Sequence, residues 1–106
     1  MFRKGLRLDG PLFVLLAAEN TIGVGRLGLA VGRRVGGAVE RNRAKRLLRE
    51  SFRRNKTETI RGLDLVLIPK VEIGGRSLAD VEREYQARLK RVARRRSHGS
   101  NPSRID

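Results

Sequence analysis

One segment constrains the fold of this chain most: a short apolar strand followed by a helix with two chemically opposite faces. On a helical wheel, one side collects apolar or small side chains at a spacing of three and four residues: Ala44, Leu47, Leu48, Ser51 and Phe52. The opposite side carries a polar stripe of Asn42, Arg46, Arg49 and Arg53, flanked by Lys45, Lys56, Arg43 and Arg54. The pattern predicts a helix over residues 39–55 that packs on a core with one face and meets an anion with the other.

The charge of this segment is strongly unbalanced. Residues 33–56 hold ten basic side chains, eight of them arginine, against Glu40 and Glu50, a net charge of +8 out of +14 for the chain. A face that serves only solubility usually mixes both signs, because like charges on one helix repel each other. Arginine also suits bidentate contacts with phosphate. The pattern favours a nucleic-acid-binding surface over the alternative of a merely solvated basic face.

Apolar runs on either side of this helix are predicted to form strands. Residues 12–18 and 63–69 have the composition of buried strands, and residues 26–32 alternate bulky with small side chains. A strand, a helix and a strand in succession form a βαβ unit. We therefore expect strands 26–32 and 63–69 to be parallel within a small mixed sheet.

A second amphipathic segment follows the last strand. Helical spacing of Leu78, Val81, Tyr85, Leu89 and Val92 predicts a helix that docks on the sheet, and this helix is expected to end near residue 95. Ser77, with Asp80 three residues later, has the pattern of a helix cap. Residues 1–10 receive no secure assignment.

Length and composition limit the architecture further. The 106 residues predict a single domain over residues 1–96 and a disordered tail over residues 97–106. The absence of cysteine excludes a disulfide framework. No apolar run approaches the ~20 residues of a membrane helix, and no signal-peptide pattern is present. We expect a cytoplasmic protein with no membrane contact.

Protein-based catalysis finds little support in the sequence. The aspartates, at positions 9, 64, 80 and 106, are dispersed and form no carboxylate cluster of the kind that a two-metal nuclease requires. The single histidine, His98, falls in the predicted tail, where a general base lacks fixed geometry. No catalytic and no metal-binding residue is predicted.

Small residues line one face of the strand over residues 26–32. Gly28, Ala30 and Gly32 alternate there with larger apolar side chains. Such a flat row allows either close packing of a helix or a shallow groove for an extended strand of nucleic acid. Both interpretations stay open from the sequence.

The run RLGLAVGRRVGGAVERNRAKRLLRESFR resembles the signature of the bacterial ribonuclease P protein component. The resemblance rests on Arg41, Asn42, Arg43, Lys45, Arg46 and Arg49, preceded by Arg26, Gly28, Arg33 and Arg34. It extends more loosely over residues 2–95, where MFRKG is similar to the end of the family's first helix. The family implies an α+β fold, a small mixed β-sheet packed with helices. Its βαβ unit has an unusual left-handed crossover, as in the second domain of a small-subunit ribosomal protein.

The resemblance also implies a function as part of a ribonucleoprotein. Ribonuclease P is an endoribonuclease in which a separate RNA subunit is the catalyst and binds most of the Mg²⁺. The protein is a non-catalytic subunit that contacts ribonuclease P RNA and the 5′ leader of precursor tRNA, and it requires no further protein partner. This family role implies that RNA is bound by Arg33, Arg34, Arg41, Asn42, Arg43, Lys45, Arg46, Arg49 and Arg53. The leader cleft is expected at Phe2, Phe13, Leu16, Gly28, Ala30 and Gly32.

Two departures from the family pattern concern the leader cleft. Family members usually carry a further N-terminal helix with two aromatic positions on the cleft, of which only Phe2 has a counterpart here. Either the natural chain begins upstream of residue 1, which we expect, or the leader is held differently. Leu16 stands where the family often has an aromatic side chain, so stacking on the leader is expected to be weaker.

Two other classes of protein share the charge and size of this chain. A small ribosomal or other structural RNA-binding protein would co-sediment with ribosomal subunits. A DNA-binding protein that inserts the basic helix in a major groove would be competed by duplex DNA at moderate salt.

Overall fold

A computed structural model describes residues 5–99, with side chains as far as residue 96. The strands are β1 (Leu6–Asp9), β2 (Phe13–Glu19), β3 (Arg26–Leu29) and β4 (Leu63–Pro69). The helices are α1 (Ala38–Arg54) and α2 (Leu78–Gly99), and short 3₁₀ turns lie at Arg33–Val35, Glu58–Ile60 and Val71–Ile73.

The strands form one mixed sheet in the order β1-β2-β4-β3. β2 pairs antiparallel with both β1 and β4, whereas β3 pairs with β4 in parallel, with Leu27 opposite Leu65. This confirms the small mixed α+β fold and the βαβ unit whose flanking strands are parallel. The left-handed crossover stays a prediction.

A single core lies between one face of the sheet and the two helices. Alternation along β2 and β4 turns Leu15, Leu65 and Leu67 towards that core. Leu48 of α1 and Tyr85 of α2 are fully buried against them, as the helical spacing predicted. The Tyr85 hydroxyl has no hydrogen-bond partner within the described residues, and burial raises its pKa.

The two helices begin in different ways. Ser77 and Asp80 exchange hydrogen bonds at the start of α2, where each side chain accepts from the other residue's backbone N–H, so the predicted cap is confirmed. α1 instead follows Gly36, whose φ of 139° favours glycine. A Cβ at Gly36 would also lie 2.8 Å from the Cβ of Glu40.

Side-chain contacts fix α2 against the rest of the fold. Glu84 accepts hydrogen bonds from the backbone N–H groups of Leu12, at 3.0 Å, and Phe13, at 3.2 Å. The Asn55 side-chain amide, just after α1, donates to Glu82 at 2.9 Å, and Gln86 donates to the Asn55 side-chain oxygen at 2.9 Å. The contacts of Asn55 with Glu82 and Gln86 therefore hold the end of α1 against α2.

The boundaries differ from the sequence prediction by more than one residue at three places. β1 lies in the segment that received no assignment, and β3 ends at Leu29 rather than at residue 32. α2 continues to Gly99, past the predicted end near residue 95, so the backbone of His98 belongs to a helix rather than to the predicted tail. Phe2 and residues 100–106 lie outside the described residues.

Candidate nucleic-acid interface

The exposed stripe of α1 matches the helical-wheel prediction. Asn42, Arg46, Arg49 and Arg53 are all exposed, while Ala44, Leu47, Leu48 and Ser51 on the opposite side are buried. Phe52 is partly buried and packs on the core. The burial of one side fixes the rotation of the helix, so the polar stripe must face away from the sheet.

The arginines of the stripe are not equivalent. Arg53 forms an ion pair with Glu50, three residues earlier on the same helix. The hydrogen bond from Arg53 holds the pKa of Glu50 below its ordinary value. Arg46 and Arg49 have no such partner among the described residues, so their charge is the more available to an anion.

The basic side chains beside the stripe divide into exposed and tethered groups. Arg33 and Arg34 are exposed in the 3₁₀ turn before α1, around the buried Val35. Arg41 and Arg43 are half-buried and donate to backbone carbonyls: Arg41 to Gly36 at 3.2 Å, and Arg43 to Arg76. Lys45 is also half-buried.

The sheet face that points away from the helices is largely apolar and open. Across it, register places Arg7, Leu16, Val66 and Gly28 in one row from β1 to β3. Arg7, Leu16 and Val66 help to line a shallow groove of about 380 Å³. The face therefore combines an apolar floor with a guanidinium at one side.

Gly28 bears on the two interpretations of the small-residue row. A Cβ built at Gly28 would meet only the Val66 side chain, at 3.5 Å, and the Leu65 carbonyl oxygen, at 3.8 Å. No helix of the described residues approaches it, so close packing of α1 or α2 does not explain the small residue here. Exposed Ala30 continues the row, and Gly32 lies beyond the end of β3, with open space around it.

Phe13 does not belong to this face, so its assignment to the leader cleft is wrong. Its side chain is 0% exposed and lies in the core. Pairing of Phe13 with Pro69 gives it the same side of the sheet as Leu15, opposite to Leu16. Leu16, by contrast, is half-buried on the open face, where the family resemblance placed it.

A polar cluster at the end of the open face was not predicted. Both guanidinium nitrogens that face Asp64, Nε and one Nη of Arg26, donate to its carboxylate at 2.8 Å. The Asn20 amide donates to the same carboxylate at 2.9 Å. The hydrogen bond from Arg26, and then that from Asn20, lowers the pKa of Asp64 to about 2.

The low pKa of Asp64 predicts a pH-dependent contribution to stability. In the unfolded chain this carboxyl has a pKa of about 3.9. Its contribution to the free energy of unfolding is therefore full above that pH and is lost as the pH falls through the folded pKa of about 2. Asp64→Asn should lower the free energy of unfolding at neutral pH, and the gap from the unchanged protein should close between about pH 4 and pH 2. Urea unfolding at constant ionic strength across this range measures the gap.

Arg26→Gln is the matched variant, because it removes the largest cause of the shift. Its gap should close over the same pH range, and the double variant should cost less than the sum of the single ones. A gap that stays constant down to pH 2 contradicts the assignment.

The described residues offer no site for a bound metal. Within residues 5–99, no group of three acidic, cysteine or histidine side chains could hold an ion. Asp64 is engaged by Arg26 and Asn20, and Asp9 by Lys70. None of the helices in this part of the chain is long and apolar enough to span a membrane.

Comparison with known proteins identifies the family. The family model for ribonuclease P matches residues 1–93 of this chain. The chain belongs to the ribonuclease P protein family. Among curated relatives, the ribonuclease P protein component of Pseudomonas aeruginosa is 39% identical over 98 residues, 92% of this chain and 72% of that protein. The component of Natranaerobius thermophilus is 36% identical over 85 residues, 80% of this chain and 74% of that protein.

Solved structures of ribonuclease P proteins share the fold. The RNase P protein from Thermotoga maritima superposes with a TM-score of 0.74 at 36% identity, over 83% of this chain and 84% of that one. The Staphylococcus aureus protein gives 0.73 at 30% identity, over 82% and 80%. The α+β architecture described above is thus that of ribonuclease P proteins.

The signature of the ribonuclease P family is divided by the geometry of α1. Arg41 and Arg43 turn back to backbone carbonyls at the start of the helix and hold the turn around Gly36 and the loop at Arg76. Asn42, between them, is exposed and begins the stripe that continues through Arg46. The motif therefore serves both to position the helix start and to present polar side chains.

Proposed function

We propose that this chain is the protein subunit of ribonuclease P and assists the RNA-catalysed removal of the 5′ leader from precursor tRNA. One observation carries the proposal: the fold presents two distinct surfaces on opposite sides of the sheet. The stripe of α1 faces away from the core on the helix side, and the open apolar face lies on the other. Two surfaces of different chemistry suit two RNA partners of different form.

The stripe of α1 suits the backbone of a folded RNA. Arg46 and Arg49 offer exposed guanidinium groups without an acidic partner in the described part of the chain, and Arg33 and Arg34 extend the basic surface. Contacts with phosphates release condensed counterions, so this binding should depend steeply on salt. We assign this surface to ribonuclease P RNA.

The open sheet face suits a single strand. Leu16 and Val66 provide an apolar floor for bases, Gly28 leaves room for close approach, and Arg7 can meet a phosphate. The floor offers aliphatic rather than aromatic contacts at Leu16, so stacking should contribute less than in relatives with an aromatic there. We assign this face to the 5′ leader of precursor tRNA.

Hydrolysis is assigned to the RNA subunit and to Mg²⁺ held there. The carboxylates within the described part of the chain form no cluster that could hold an ion. The protein instead supplies positive charge, with a net of +14, which reduces repulsion between the two RNA molecules where divalent ions are scarce. Such processing would take place in the cytoplasm.

Reconstitution tests this proposal. The protein is mixed with bacterial ribonuclease P RNA and a precursor tRNA, and 5′-end maturation is followed over a Mg²⁺ series. The protein should accelerate maturation at low Mg²⁺, and the benefit should shrink as Mg²⁺ rises, because the ions then supply the same screening. The RNA alone at each Mg²⁺ concentration is the control, and the protein alone should cleave nothing.

Two outcomes would overturn the proposal. One is cleavage by the protein alone after rigorous removal of contaminating nucleases. The other is no acceleration at low Mg²⁺ together with co-sedimentation on ribosomal subunits, which would indicate a structural ribosomal RNA-binding protein.

A further inference from the structure

The C-terminal half of α2 carries a second basic surface that the proposed function leaves unused. From residue 85 to residue 96 the chain has six basic side chains and no acidic one. Lys90, Arg91 and Arg95 among them are exposed. A helix was expected here only to dock on the sheet, yet its outer side has the same sign of charge as the stripe of α1.

The packing of α2 fixes the direction of this surface. Tyr85 and Val92 are 0% exposed and Leu89 is 7% exposed, so one side of the helix is held in the core. On a wheel of 3.6 residues per turn, Lys90 and Arg91 project from the opposite side, with Arg95 at its edge. The three side chains lie within about 8 Å along the helix axis.

Five of the six basic side chains of this region fall into two groups. Arg88 donates to the Asp9 carbonyl at 3.2 Å, and Arg96 donates to the carbonyls of Thr59 and Arg61 at 2.6 and 2.9 Å, so both have structural roles. Within residues 5–99, Lys90, Arg91 and Arg95 have neither an ion pair nor a hydrogen bond from the side chain. Their mutual repulsion is not compensated by any acidic side chain of the described residues.

Two other exposed arginines are neutralised locally. Arg61 pairs with Glu58 at 3.1 Å, and Arg83 pairs with Asp80 at 3.5 Å, each with a carboxylate three residues earlier. Arg61 and Arg83 have acidic partners, whereas Lys90, Arg91 and Arg95 have none among the described residues. This contrast indicates that the three side chains of α2 are available to an external anion.

The second basic surface lies on the same side of the molecule as the stripe of α1. Both helices cover one face of the sheet, and Asn55 joins the end of α1 to Glu82 and Gln86 of α2. Lys90 lies about one helical turn after Gln86. A long anion that follows the helix side could therefore meet both surfaces without touching the open sheet face.

We propose that Lys90, Arg91 and Arg95 form a second docking surface for the phosphate backbone of the folded RNA that binds the stripe of α1. The inference rests on the proposed function for the identity of that RNA. A lipid surface is disfavoured, because a membrane-bound amphipathic helix turns large apolar side chains outward, whereas those of α2 are buried in the core.

Paired substitutions test the contribution to affinity. Arg91→Gln with Arg95→Gln should weaken binding of ribonuclease P RNA about tenfold near physiological salt and lower the salt-dependence slope by one to two units. Arg61→Gln with Arg83→Gln is the matched control, since it removes the same charge from exposed arginines that already have partners. The control should change the affinity less, and thermal unfolding should confirm that both variants fold.

A tethered probe tests the location. The sequence contains no cysteine, so Lys90→Cys and Arg46→Cys each create a single attachment point for an iron chelate that generates hydroxyl radicals. Both probes should cut the bound RNA, at different segments. Cutting from position 46 but not from position 90 overturns the second surface and leaves the proposed function intact.

The remaining outcomes also decide. Failure of both probes, together with no acceleration of maturation, defeats the proposed function and the second surface with it. Equal loss of affinity in the test and control variants means that net charge alone matters, which overturns the assignment. The assignment is also overturned if Arg91→Gln with Arg95→Gln keeps its RNA affinity but loses binding to vesicles of phosphatidylglycerol and phosphatidylcholine. That result would identify a membrane as the partner.

Discussion

Phe13→Ala is expected to lower the free energy of unfolding by about 3–5 kcal/mol, because it empties a fully buried aromatic site at the start of β2. The side chain lies between the strands and the helices, where the backbone N–H of Phe13 is held by Glu84. That anchoring limits how far the site can collapse around the cavity. Urea or thermal unfolding measures the loss directly.

Leu16→Ala is the matched control, three residues later on the same strand but on the open face. It should leave the unfolding free energy nearly unchanged and instead reduce the preference for precursor over mature tRNA. An ordinary melting temperature for Phe13→Ala, with a loss of leader discrimination, would mean that the faces of β2 are reversed.

Arg46→Ala combined with Arg49→Ala is expected to weaken binding of ribonuclease P RNA by about 10- to 30-fold near physiological salt. Both guanidinium groups are exposed and have no acidic partner within the described residues, so each can neutralise one phosphate. The logarithm of the affinity should also fall less steeply with salt, by up to about two units of slope. Filter binding over a salt series measures both quantities.

Arg53→Ala provides the comparison on the same stripe. Glu50 already pairs with Arg53, so removal of Arg53 should affect the affinity less than removal of either partner-free arginine. Melting temperatures of the double variant and of Arg53→Ala should stay close to that of the unchanged protein. Full affinity in the absence of both Arg46 and Arg49 would contradict the assignment of the stripe.

Local periodicity sufficed to predict the parts of the fold that have one clearly apolar side. The core side of α1, the strand over residues 63–69 and the parallel βαβ pairing all follow from spacing and order. β1 carries a weaker signal of the same kind, since Leu6 to Asp9 alternate apolar and charged side chains between glycines. Its four residues were too short a signal beside the basic residues that precede it.

The facing of β2 could not be predicted because the strand is apolar on both sides. Alternation along the strand puts Phe13 and Leu16 on opposite faces, but the two differ little in hydropathy, and only the folded structure shows which of them faces the core. The cluster of Asp64, Arg26 and Asn20 joins residues up to 44 positions apart, so no local pattern announces it. The unpaired state of Arg91 likewise depends on which carboxylates the fold brings near.

The order of the strands has a consequence for synthesis on the ribosome. β3 pairs with β4 alone, and β4 is also the central partner of β2, so most of the sheet must wait until residues 63–69 have emerged. By that point α1 has already emerged in full, with its apolar side uncovered and its basic side exposed. A nascent chain in that state exposes the apolar side of α1 before the sheet that covers it has formed. Slow translation just before β4 should therefore lengthen the interval in which the chain is prone to aggregate or to bind passing RNA.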